Sequence, residues 1–130
     1  RHWRAGMHFT QREQQALRDA GVDQETVEAA SDTVVEATDD AAAELEAFFD
    51  GRETVYSDMD IAHSSSEIQE HTVEYCDLFT HADDIRGYLR FDIWGVPVEG
   101  GRVLSDEKIE LSLGPTVHGR VRFAADEDAL

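Results

Sequence analysis

Asp58, Asp60 and His63 place two carboxylates and an imidazole within six residues of one another. His71 and His81 follow, and both could converge on the same point in the folded chain. Carboxylate oxygens and imidazole nitrogens together suit Mn, Fe or Zn. A bound divalent ion can activate water for hydrolysis. Asp58, Asp60, His63 and His81 are therefore a candidate metal site, and the chemistry would be that of a small metal-dependent hydrolase.

The spacing of this set matches no established metal motif such as His-Glu-x-x-His. A chain in which 31% of residues are charged brings acids close to histidines by chance. The alternative is a solvated loop in which Asp58 or Asp60 caps a turn. We therefore predict no cofactor, and a divalent metal stays an open alternative.

A second candidate is a group of basic and aromatic residues that would share one face of a predicted sheet. They could pair with acids across strands, or contact a second subunit, since Arg and Trp are favoured at interfaces. They could also bind an anionic ligand or stacked RNA bases, although a net charge of -18 disfavours nucleic acid. The group comprises Arg86, Tyr88, Arg90, Trp94, Lys108, His118, Arg120 and Arg122.

Cys76 is the single cysteine, so no disulfide can form within the chain. His63, His71 and His81 are nearby bases, but the sequence around Cys76 matches no catalytic cysteine signature, and we interpret it as a core residue. The chain also lacks Gly-x-Gly-x-x-Gly, a Walker loop, Gly-x-Ser-x-Gly and zinc-ribbon spacing. This disfavours the common nucleotide-dependent enzymes.

The balance of charges is strongly acidic, with 29 Asp and Glu against 11 Lys and Arg. Lys108 is the only lysine. In molar salt the Debye length falls to about 3 Å, so repulsion among carboxylates is screened and excess charge keeps a protein soluble. This predicts a halophile protein that is less stable at low salt. The chain shows no apolar run of membrane-spanning length and no signal-peptide core, which predicts the cytoplasm and no membrane partner.

Two helices are the first elements that the sequence predicts. Thr10 and Glu13 form a capping-box pattern before a helix over about 11–20. Asp23 is a helix N-cap before a second helix over about 24–49, and Asp50-Gly51 would end it. An apolar stripe at helical spacing supports the second helix. The stripe consists of Val27, Ala30, Val34, Ala37, Ala41, Leu45 and Phe48.

The rest of the chain predicts strands. Residues 52–66 show no clear period and are predicted as a long loop. Residues 67–79 fit a helix or a strand, and their Thr, Val and Tyr content favours the strand. Alternating patterns predict strands over 85–94, 108–113 and 117–123, with a hairpin turn at 99–102.

Together these elements predict an α+β fold: an N-terminal helical pair packed on an antiparallel β-meander of three to four strands. Residues 7–130 would form a single domain. Residues 1–6 hold two arginines and no acid before Met7, and are predicted to be an N-terminal extension.

Two segments resemble short, uncharacterised acidic proteins of halophilic archaea: YSDMDIAHSSS at 56–66 and THADDIRGYLRFD at 80–92. The resemblance covers nearly the whole chain from Met7. It implies no known activity and transfers no functional residue. The leading hypothesis from sequence is therefore a non-enzymatic binding module, expected to be a homo-oligomer and specifically a homodimer, that acts through its sheet face or the 52–66 loop.

Overall fold

Two helices and six strands follow one another in the computed structural model, which describes residues 8–59, 68–114 and 119–130. Neither helix is long and apolar enough to cross a membrane, among the residues so described. The elements are α1 (Gln11–Asp19), α2 (Gln24–Phe49), β1 (Thr54–Ser57), β2 (Gln69–His81), β3 (Asp84–Phe91), β4 (Gly95–Ser105), β5 (Lys108–Leu113), β6 (Arg120–Ala124) and a 3-10 helix at Glu127–Ala129.

Local capping sets the helix boundaries where the sequence predicts them. The Thr10 hydroxyl accepts a hydrogen bond from the Glu13 amide, and the Glu13 carboxylate accepts one from the Thr10 amide at 2.9 Å. The Asp23 carboxylate accepts from the Thr26 amide at 2.8 Å at the start of α2. Gly51, with φ of +77°, follows the end of α2. Both predicted helices are confirmed, because caps depend only on neighbours in sequence.

The buried face of α2 is one or two residues away from the predicted stripe over the middle of the helix. Ala30 and Ala37 are exposed, whereas Ser31 and Asp39 are buried. Hydrogen bonds from residues outside the helix explain why Ser31 and Asp39 face inward. The His8 amide donates to the Ser31 hydroxyl at 2.6 Å, and the Thr80 hydroxyl donates to the Asp39 carboxylate. An alanine-rich helix offers no strong apolar contrast to oppose such contacts.

The sheet has more strands than the sequence predicts. Each strand pairs antiparallel with the next along the chain, and β1 pairs with β6 to close a barrel. Tyr56 opposite Ala124 and Ser57 opposite Phe123 make that closure. The α+β prediction is confirmed, but three to four strands was too few. Strand β1 lies inside the predicted 52–66 loop, and its four residues are too short to show a period of two.

The predicted hairpin turn at 99–102 is wrong, because β4 continues through it to Ser105. The chain reverses afterwards, where Ser105 pairs with Lys108. Gly100 lies at a bulge, where the register shifts between Val98 and Gly100. Gly101 lies where the strand packs against other elements. A Cβ on Gly101 would lie 2.7 Å from the Leu111 side chain and 2.9 Å from Leu45 of α2. A larger residue there would displace the ends of these two leucine side chains, which pack between α2 and the sheet.

The C-terminal half of α2 packs against the interior of the barrel. Leu45, Phe48 and Phe49 are buried in one cluster with the inward-facing strand residues. The Phe49 and Phe123 rings lie 5.7 Å apart, edge to face. The core is therefore shared by one helix and all six strands.

Helix α2 also covers the edge of β2 that β1 leaves free. Only the first four residues of the 13-residue strand β2 pair with β1. Beyond them, the Val73 amide donates to the Glu53 carbonyl at 2.8 Å, and the Leu78 amide donates to the Glu46 carboxylate at 2.8 Å. The Thr80 to Asp39 bond adds a second link to α2. The bonds from the Val73 and Leu78 amides satisfy backbone groups that an open sheet edge would expose, whereas the Thr80 to Asp39 bond joins two side chains.

Candidate functional site

The four predicted metal ligands divide between two ends of β2 and a part of the chain outside the described residues. Asp58 follows β1, next to the start of β2, and its carboxylate accepts a hydrogen bond from the Arg122 amide at 2.9 Å. His81 is exposed and ends β2, about 40 Å of strand away. Asp58 and His81 therefore cannot bind one ion together. Asp60 and His63 lie outside the described residues, and within those residues no three possible metal ligands come together.

The structure divides the predicted basic and aromatic face into two surfaces. Arg86, Tyr88 and Arg90 point outward from β3, and Arg120 and Arg122 point outward from β6. These two strands lie on opposite sides of a six-stranded barrel. The sequence predicted that these residues share one face of an open sheet. Pairing of β1 with β6 closes the sheet into a barrel, which places β3 and β6 on different sides.

Trp94 belongs to neither surface. It is half-buried beyond the end of β3 and packs against the hydrophobic core. Its ring lies 4.9 Å from Phe91 and 6.3 Å from His71. Trp94 therefore closes one end of the barrel interior, and His118 lies outside the described residues.

The outer side of β2 and β3 forms an aromatic face. The exposed fractions are 63% for Phe79, 44% for Tyr75 and 37% for Tyr88. Across the two strands, Phe79 lies opposite Arg86, and Tyr75 lies opposite Arg90. The aromatic face comprises Glu74, Tyr75, Asp77, Phe79, Arg86, Tyr88 and Arg90, and the Arg90 Nε lies 3.5 Å from the Glu74 carboxylate.

The arginine cluster is the second surface, on the outer side of β4, β5 and β6. Glu110 lies between Arg102 and Arg122 on the neighbouring strands. Its carboxylate is 2.9 Å from the Arg102 Nε and 3.7 Å from the Arg122 Nε. The hydrogen bond from Arg102 lowers the pKa of Glu110, and the charges of Arg120 and Arg122 act in the same direction. Glu110 is therefore ionised and orders the guanidinium groups around it.

A shallow cavity of about 220 Å³ adjoins the arginine cluster. Its lining combines two guanidinium groups, one carboxylate, one hydroxyl and a glycine, from Arg102, Arg120, Glu110, Ser112 and Gly101. Donors outnumber acceptors in this set, which favours an anionic guest.

A family model described as a family of unknown function (DUF7532) matches residues 7–128. The chain belongs to this family. No curated protein and no solved structure matches the chain. The family match confirms the predicted resemblance to an uncharacterised family. Membership assigns no activity to the chain.

A larger groove of about 660 Å³ lies between the end of α2 and β2 in this family member. Carboxylates from Glu46, Asp50, Glu53 and Glu74 contribute to its walls, and Cys76 lies among the lining residues. Burial, with the charges of nearby acids, raises the pKa of Cys76 to about 12. A thiol that stays protonated at neutral pH is a poor nucleophile, which supports the interpretation of Cys76 as a packing residue.

A buried Ser57 and His71 pair is the feature that sequence reasoning missed. The Ser57 Oγ and the His71 Nε2 share a hydrogen bond of 2.6 Å. The imidazole stacks on Phe91 with ring centroids 4.5 Å apart. Serine beside a neutral histidine resembles a nucleophile and its base. Ser57 is 0% exposed, so its hydroxyl does not meet solvent and the pair holds the barrel interior together.

Proposed function

We propose that the protein is an interaction module that forms a homodimer through the aromatic face. The observation that carries the proposal is the exposure of three aromatic side chains on one side of two adjacent strands, with Phe79 exposed to 63%. Isolated exposed apolar residues are common on proteins, but several on one side of two adjacent strands favour an interaction surface. Tyr and Arg side chains are also enriched where interfaces bind most strongly.

A second copy is the occupant that fits the charges of this face. Glu74 and Asp77 supply two acids, and Arg86 and Arg90 supply two bases. The aromatic face is therefore close to neutral on a chain whose net charge is -18. Two copies approach with least repulsion here, and a two-fold axis could bring the acids of one copy to the arginines of the other.

The proposed setting is the cytoplasm of a halophile. Excess carboxylates and a single lysine support this setting. Concentrated salt would screen repulsion between two acidic copies, so burial of aromatic surface would decide their association. A hydrolase remains an alternative that needs Asp60 and His63, and an RNA partner is disfavoured by the net charge.

The homodimer is tested by measuring the molar mass in multimolar KCl, using size-exclusion chromatography with light scattering. The wild type should have twice the chain mass of 14.6 kDa, and Phe79→Asp should have the mass of one chain. Val103→Ser is the matched control, since Val103 is 38% exposed on β4, outside the aromatic face. A monomeric wild type, or dissociation by Val103→Ser to the same degree, would overturn the proposal.

A further inference from the structure

The outer side of β4, β5 and β6 is built from two rows of residues that run across the three strands. In the first row, Arg102 lies opposite Glu110, and Glu110 lies opposite Arg122. In the second row, Gly100 lies opposite Ser112, and Ser112 lies opposite Arg120. The second row therefore has small residues at two positions and an arginine at the third.

The first row concentrates positive charge on an acidic protein. Together with Arg120 of the second row, three arginines surround one carboxylate, which leaves an excess of positive charge at a single place. Glu110 engages the Nε of Arg102 and approaches the Nε of Arg122, and each guanidinium has four further N–H donors. The side chains of Arg102 and Arg122 are 63% and 51% exposed, so their outer ends can reach a guest in solution.

The second row leaves room for that guest. A Cβ on Gly100 would lie 3.7 Å from Ser112, an ordinary contact distance, so packing does not require glycine there. Gly100 therefore leaves space beside the Ser112 hydroxyl, which itself lines the cavity. The cavity of about 220 Å³ has Arg102 and Arg120 on its walls, and these residues come from strands on either side of β5.

We infer that Arg102, Arg120 and Ser112 form a binding site for the phosphate group of a small molecule. Guanidinium groups from two sides and a hydroxyl from below suit a tetrahedral anion, which offers oxygens in three directions. A carboxylate is planar and offers two oxygens. A small molecule fits better than a nucleic acid, because an extended polyanion would also meet the acidic remainder of a chain with net charge -18.

The site is independent of the proposed homodimer. It lies on β4, β5 and β6, whereas the aromatic face lies on β2 and β3. Failure of either proposal would leave the other unaffected.

Titration with inorganic phosphate and with glycerol 3-phosphate in multimolar KCl, followed by NMR of the arginine Nε–H groups, tests the site. The Arg102 and Arg120 resonances should shift and saturate. Arg120→Gln should weaken binding by roughly tenfold or more, and Ser112→Ala should weaken it to a smaller degree, since each loses donors to a charged group. Tighter binding of the ester would identify an ester ligand, and equal binding would identify free phosphate.

Arg12→Gln is the matched control, because it removes the same charge from an exposed position on α1. It should leave the affinity unchanged. Three results would overturn the inference: the absence of saturable shifts, equal weakening by Arg12→Gln and Arg120→Gln, or binding of acetate as tight as that of phosphate. Circular dichroism spectra that match the wild type would show that each variant is folded.

Discussion

His71 illustrates how a single residue can carry a pH dependence without taking part in chemistry. It is 6% exposed, hydrogen bonded to Ser57 and stacked on the Phe91 ring. Burial lowers its pKa from 6.5 to about 4. The folded state therefore favours the neutral imidazole, while the unfolded chain binds a proton near pH 6.5.

The first prediction concerns the stability of the wild type as pH falls. The contribution of neutral His71 is fully present above about pH 6.5 and is lost as pH falls towards about 4, because the unfolded state then binds more protons. Allowing for partial screening at the barrel end, the loss should be about 2 kcal/mol. Urea unfolding at fixed KCl concentration, from pH 7 to pH 4.5, measures it.

His71→Gln is the control for this pH effect, since glutamine keeps a polar group near Ser57 but does not titrate. The carboxylates titrate in both proteins, so the difference between the two stability profiles isolates the imidazole. The difference in free energy of unfolding between the wild type and His71→Gln should change steadily below pH 6.5. Parallel profiles would show that His71 is not a buried neutral group.

At the scale of elements, the attachment of α2 to β2 rests on side-chain acceptors from the helix. Strand β2 extends nine residues beyond its pairing with β1. The Glu46 carboxylate takes the place of a neighbouring strand by accepting from the Leu78 amide. On the other side, the Leu45 side chain of α2 packs close to β4 at Gly101. The helix therefore contacts both β2 and β4.

The second prediction is that Glu46→Ala destabilises the fold by about 1–2 kcal/mol, since it leaves a half-buried backbone amide without its acceptor. Amide hydrogen exchange at Leu78 should become faster in this variant. Glu46→Gln keeps a side-chain oxygen and should retain most of the stability and protection. If both variants behave alike, the charge of Glu46 matters more than its hydrogen bond.

At the scale of the whole molecule, charge is distributed unevenly. From Asp23 to Asp50, the segment that contains α2 has ten acids and no base. Glu36, Asp40 and Glu44 form an exposed row in which each acid lies four residues from the next. Like charges at this spacing repel across one helical turn, whereas six of the eleven Lys and Arg residues lie on β3 to β6.

The third prediction is that the melting temperature rises with KCl, by about 10 °C or more between dilute buffer and multimolar salt, because salt screens this repulsion. A triple variant, Glu36→Gln, Asp40→Asn and Glu44→Gln, should melt higher than the wild type in dilute buffer. In concentrated KCl the two should melt at similar temperatures. A wild type that melts at one temperature in both solutions would contradict the halophile interpretation.

Properties that depend on neighbours in sequence could be predicted without the structure. The Thr10 and Asp23 caps placed both helices within a residue, since each cap bonds to an amide three positions away. The alternation of β3 and β5 reflects one buried and one outer face. Net charge is a sum over residues and needs no fold.

Tertiary structure decided whatever depends on residues far apart in sequence. Closure between β1 and β6 joins Ser57 to Phe123, and it separates the arginines of β3 from those of β6. Pairing across strands also brought Ser57 to His71 and Arg102 to Glu110. Each polar side chain has many potential partners in the sequence, and only the strand register selects one, because a shift of one residue turns a side chain from the outer surface to the core.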